Sequence, residues 1–84
     1  MSNQIVFDSS NWDTIVDTVN KINEIGCMQL GTTSEGEPIA FDVSTDEDGE
    51  YVLHTATTQS NGWIRHNYYY LADYTVEESY EKEK

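Results

Sequence analysis

The chain has 84 residues, of which sixteen are Asp or Glu and four are Lys or Arg, for a formal net charge of −12. That length holds one domain with a small core. Two Trp, six Tyr and two Phe in a regular apolar pattern argue against a disordered acidic tail. Seven acids and one base fall in residues 1–42, nine acids and three bases in 43–84, so the charge is not a tail property. An evenly acidic surface opposes direct binding to nucleic acid or to an anionic membrane.

Gln4–Phe7 predicts a short first strand with Ile5 and Phe7 on one face. Ser10–Ile25 predicts the long helix, because Trp12, Ile15, Val16, Val19, Ile22 and Ile25 recur at helical spacing. Asp13, Asp17, Lys21 and Glu24 fall on the opposite side. Ser10 stands in the N-cap position, Asp13 completes a short-armed capping box, and Gly26 suits a left-handed C-cap. Cys27–Thr33 predicts a strand, the acidic turn Ser34–Glu37 follows, and Pro38 opens the next strand. Ile39, Phe41 and Val43 alternate with Ala40, Asp42 and Ser44. Asp46–Gly49 predicts a hairpin turn, Tyr51–Thr58 a strand, and Asn61-Gly62 a second hairpin turn leading into Trp63–Tyr70. Tyr74–Tyr80 predicts a last, acidic edge strand, with fraying from about Glu81.

These elements predict one α+β domain over residues 1–84, with an N-terminal helix packed on an antiparallel four- to five-stranded meander. The expected core is Ile15, Val16, Val19, Ile22, Phe41, Val43 and Leu53. In Tyr51–Thr58 and Trp63–Tyr70 both faces carry large side chains, so pattern alone leaves the inward face open.

No catalytic or cofactor motif emerges. Asp46, Asp48 and Gly49 imitate part of a calcium loop, but Ser44 and Thr55 stand where its first ligand and its bidentate glutamate belong. Cys27, His54 and His66 lack the paired spacing of a zinc site, and a lone Cys27 reads as a small strand hydrophobe without a disulfide partner. A single cysteine and an N-terminus without a basic, apolar leader imply a cytoplasmic protein. The expectation is a non-enzyme without metal or cofactor.

The distinctive features are the acids and the tyrosines. Asp13, Asp17 and Glu24 form a helix stripe. Glu35, Glu37 and Asp42 join Asp46, Glu47, Asp48 and Glu50 as a second group expected at one turn end of the sheet, and Glu77, Glu78, Glu81 and Glu83 form a third. Ordinary soluble surfaces intersperse both signs, whereas only Lys21 and Arg65 are cationic before the last three residues. Carboxylates one helical turn apart (about 6 Å) or on alternate strand positions (about 6.7 Å) roughly match phosphate spacing. Tyr68, Tyr69 and Tyr70 provide the aromatic character found at protein-binding hot spots.

In size, charge and evenness of its acids, carried by the helix stripe and by Asp46-Glu47-Asp48, the chain resembles the small phage-encoded inhibitors of bacterial defence. These include anti-restriction DNA mimics and several anti-CRISPR proteins. The resemblance implies a non-enzymatic inhibitor in the host cytoplasm. It would block a basic nucleic-acid-binding surface of a defence protein, using Asp46, Glu47, Asp48 and Glu50 first and Asp13, Asp17 and Glu24 second. The alternative is a small interaction module that engages a partner through the aromatic sheet face at Tyr68–Tyr70.

Overall fold

The computed structural model describes residues 5–25 and 29–82. Its elements are β1 (Ile5–Phe7), α1 (Trp12–Ile25), β2 (Gln29–Thr33), β3 (Pro38–Thr45), β4 (Tyr51–Thr58), β5 (Trp63–Tyr70) and β6 (Thr75–Lys82). The domain is α+β. The sheet has six strands in sequence order, and β1 pairs with β2 in parallel while every later pair is antiparallel. This corrects the expected all-antiparallel sheet of four or five strands. A helix between two neighbouring strands returns the chain to the end where it started, so β1 and β2 run the same way. The hairpins after β2 generate the meander.

The helix starts one residue later than its pattern predicts. Asn11 is the N-cap: its side-chain oxygen accepts from the Asp13 N–H at 2.9 Å, and its carbonyl accepts from Thr14 and Ile15. Ser10 instead donates its N–H and its hydroxyl to Asp8 at 3.0 and 2.6 Å. Those bonds, the hydroxyl's first, hold the Asp8 carboxyl below its ordinary range. Two cap-type residues are adjacent in sequence, and Asp8 claims one of them. The predicted C-cap Gly26 and the strand residues Gln4, Cys27 and Met28 lie outside the described residues.

Ile15, Val19 and Ile22 on the helix meet Phe7, Ile39, Phe41, Leu53 and Tyr69 in one core. Val43, expected inside, is half-buried at its margin, Val16, also expected inside, is only half-buried, and Ile25 at the helix end is exposed. Thr18 is also buried, with its hydroxyl donating to the Thr14 carbonyl at 2.8 Å. The helix packs on β1, β3 and β4, and among the described residues no element covers the other sheet face.

Phe7 and Tyr69 show that the sheet is strongly curled. Their ring centroids are 5.7 Å apart, although β1 and β5 are four strand spacings apart, about 19 Å in a flat sheet. Curling folds the sheet round the helix and lets β5 contribute to the core. β6 continues through Glu81 and Lys82, where fraying was expected, and every one of its residues is exposed.

Candidate functional site

The β3–β4 turn is built by its first acid. One Asp46 carboxylate oxygen accepts from the Asp48 and Glu50 N–H groups at 2.9 and 3.0 Å. The Asp46 backbone bonds Glu50 and Gly49, and Gly49 supplies the positive φ of 80° that the turn requires. Glu47, Asp48 and Glu50 are thereby left on a fixed, exposed loop.

Asp13, Asp17 and Glu24 are all exposed on α1. At 3.6 residues per turn they fall within about 40° of arc, opposite Ile15, Val19 and Ile22. The start of this stripe is joined to the β3–β4 turn through two contacts. The Trp12 ring packs edge-on against Tyr74 at 5.3 Å, which sets the first helical turn against the β5–β6 turn. The Leu71 N–H then donates to the Tyr51 carbonyl at 3.3 Å, tying that turn to the residue after Glu50. These two contacts link the segments that carry Asp13, Asp73 and the Asp46–Glu50 loop, and no Lys or Arg occurs in those three segments. Asp73 was missed from sequence because it lies in a connection without a clear pattern.

The second predicted acidic group is split. Glu35 and Glu37 belong to the β2–β3 turn, at the opposite end of β3 from Asp46. Among the described residues the one Lys or Arg ion pair is Arg65 with Glu37, at 3.9 Å. Lys21 makes none with Asp17 or Glu24, the neighbours that helical spacing gives it.

The acids of β6 are engaged by neighbouring side chains. Glu77 accepts from the Tyr70 hydroxyl, Glu78 from the Tyr80 hydroxyl at 3.0 Å, and Glu81 lies 3.0 Å from His66 Nε2. The bond to Glu77, more than burial or the nearby charges of Glu77 and Asp46, pushes the Tyr70 phenol up. The bond to Glu78 does the same for Tyr80.

The three predicted tyrosines separate by strand alternation. Tyr69 pairs with Leu53 on the helix side and is 2% exposed, so it is a core residue and not a contact residue. Tyr68 and Tyr70 lie on the uncovered face, half-buried. There Tyr68 stacks on His54 at 4.6 Å, and His54 stacks on His66 at 5.1 Å with Nε2 and Nδ1 2.9 Å apart. Burial, with the neighbouring His66 adding to it against the charge of Asp42, lowers the His54 pKa. The histidines are thus diagonal cross-strand neighbours, with Glu81 beyond them. Among the described residues no group of three or more ligating side chains is placed to hold a metal ion.

Comparison with protein-family models, with curated proteins and with solved structures returns no match to this chain. No described helix is long and apolar enough to cross a membrane.

Proposed function

We propose that this protein is a non-enzymatic inhibitor of the host cytoplasm that occupies a basic nucleic-acid-binding surface of a bacterial defence protein, with carboxylates in place of phosphates. The observation that carries this reading is that the segments holding Asp13, Asp73 and the Asp46–Glu50 loop contain no Lys or Arg and are linked by the Trp12–Tyr74 and Leu71–Tyr51 contacts. A groove suited to phosphates supplies Arg and Lys, and exposed carboxylates pair with these through charge-assisted hydrogen bonds. Glu47, Asp48 and Glu50 on a firm turn are suited to enter such a groove, and Asp13, Asp17 and Glu24 extend the contact along the helix. Asp46 holds the turn.

The test is capture of binding proteins from a bacterial lysate at low salt by the parent and two variants, followed by competition between each captured protein and nucleic acid. The variants are Glu47/Asp48/Glu50→Lys and Asp13/Asp17/Glu24→Lys. The parent should capture nucleic-acid-binding proteins, release them in high salt and displace nucleic acid from them, and each variant should do so less well. Undiminished displacement by both variants, or an acidic target surface, rejects the proposal.

The uncovered sheet face favours a second reading. Tyr68 and Tyr70 sit there beside His54 and His66 with no layer above them among the described residues, an arrangement suited to a protein partner. Salt-resistant capture of a non-basic protein, lost in Tyr68→Ala/Tyr70→Ala, supports this interaction-module reading over mimicry.

A further inference from the structure

The last strand, β6, pairs only with β5 and forms one edge of the sheet. In an antiparallel ladder alternate residues aim their N–H and C=O at the neighbouring strand, and the residues between aim theirs away. Among the described residues nothing bonds the outward backbone groups of β6: it has no second neighbouring strand, and no turn or loop bond reaches Thr75–Lys82. All eight of its residues are exposed. Folded proteins blunt such an edge by shortening it, bulging it, setting Pro or Lys along it, or covering it. The opposite edge, β1, is three residues long. β6 has eight, no Pro, a single Lys82 at its end, and an unbroken one-to-one register with β5 from Tyr70–Thr75 to Trp63–Lys82.

The protection that β6 does carry has a sign. A second copy of the strand would bring Glu77, Glu78 and Glu81 against the same three carboxylates, in a chain of net charge −12, and like charges oppose that pairing. The same carboxylates attract a basic strand. Their bonds to neighbours leave them room to do so. Glu77 accepts from Tyr70, Glu81 lies against His66, and Glu78 takes Tyr80 and the turned Asn67 amide, whereas a carboxylate offers about four lone-pair sites. Register sorts the side chains by face. Glu77 and Glu81 lie beside Tyr68 and Ile64, while Val76, Glu78 and Tyr80 lie beside Tyr69, Asn67 and Arg65. Val76 and Tyr80 are 49% and 52% exposed, so that second face offers apolar contact on either side of Glu78. We infer that the outer edge of β6 binds an extended basic segment of a partner protein as an added antiparallel strand, with Lys or Arg opposite Glu77, Glu78 and Glu81 and apolar residues opposite Val76 and Tyr80. Main-chain bonds hold the added strand and the side chains select it. This edge uses neither the Asp46–Glu50 loop nor the helix stripe, so the inference stands apart from the proposed inhibition.

The experiment is NMR hydrogen exchange of the β6 amides in the whole protein. The probe is a blocked peptide matching the eight residues of β6, with Lys opposite Glu77, Glu78 and Glu81, Val opposite Val76 and Tyr80, and Thr elsewhere. At saturation the β6 amides that point away from β5 should become protected. A peptide with Glu in place of Lys should protect none. Two further peptides carry backbone N-methyl groups on one or the other set of alternate residues. Methylation of the set that faces β6 should abolish binding, and methylation of the other set should leave it. Glu77→Gln/Glu78→Gln/Glu81→Gln should weaken the peptide about tenfold through three lost cross-strand pairs, with the amides bonded between β5 and β6 still slow to exchange. Equal binding by both methylated peptides would mean charge attraction without a strand. Outward amides protected in the free protein in proportion to its concentration would assign the edge to a second copy. Either result overturns the inference, as does a Lys peptide that protects no outward amide or binds the triple Gln variant undiminished.

Discussion

The Trp12 indole meets the Tyr74 ring edge-on, 5.3 Å between centroids and nearly perpendicular at 88°. This contact joins the first turn of the helix to the β5–β6 turn, 62 residues away in the chain (74 − 12), where Tyr74 holds a positive φ of 55°. Trp12 also lies 6.1 Å from the Tyr69 ring in the core. Trp12→Ala should therefore cost about 2 kcal/mol, less than a fully buried aromatic would, because Trp12 is half-buried. Chemical denaturation measures that loss. The folded variant should also capture basic partners more weakly, since the acidic segments are no longer linked by this contact.

The Asp46–Glu50 turn makes a finer prediction about neighbouring acids. Asp46→Ala removes an acceptor for two backbone N–H groups and should destabilise by about 1 kcal/mol, as loss of a cap does. Glu47→Ala removes an exposed carboxylate without a described hydrogen bond and should stay within about 0.5 kcal/mol of the parent. Denaturation midpoints of the pair check the contrast. Equal losses would mean that the Asp46 bonds do not hold the turn.

Val19 is 1% exposed in the centre of the helix–sheet contact. Val19→Asp would place an unpaired charge there, a cost of several kcal/mol in a domain of this size. Circular dichroism should show an unfolded chain at room temperature. An unchanged melting curve would contradict the helix packing.

His54 gives a pH dependence. Its folded pKa lies below 6.5, chiefly through burial, so near and below that value the unfolded chain binds more protons. Stability from keeping His54 neutral is present above pH 6.5 and declines as pH falls toward the lower folded pKa. His54→Gln should flatten this part of the stability profile. Melting temperatures of parent and variant between pH 7.5 and 5.5 are the measurement, and parallel curves would exclude the linkage.

Association with a basic partner should be slower at higher salt. Attraction between separated charges is screened over about 8 Å at physiological ionic strength, and steering acts mainly on the association rate. Stopped-flow binding at two salt concentrations separates this from the aromatic-face reading, in which the dissociation rate of Tyr68→Ala/Tyr70→Ala changes more than its association rate.

Local pattern alone was enough for the helix and for the positions of the later strands. Ile15, Val19 and Ile22 repeat at helical spacing, Ile39 and Phe41 alternate, and Gly49 and Gly62 mark turns through backbone freedom that other residues lack. These signals act within a few residues and survive without knowledge of the rest of the chain. The tertiary structure decided what depends on distant segments. It chose Asn11 over Ser10 as cap because Asp8 holds Ser10, and it made β1 parallel because the helix carries the chain back across the sheet. It turned Tyr69 inward and Tyr68 and Tyr70 outward, a choice that alternation poses but only the position of the helix resolves. Net charge was readable at once, because composition adds without geometry. The grouping of Asp13, Asp73 and the Asp46–Glu50 loop was not, because it depends on Trp12 reaching Tyr74 across the folded chain.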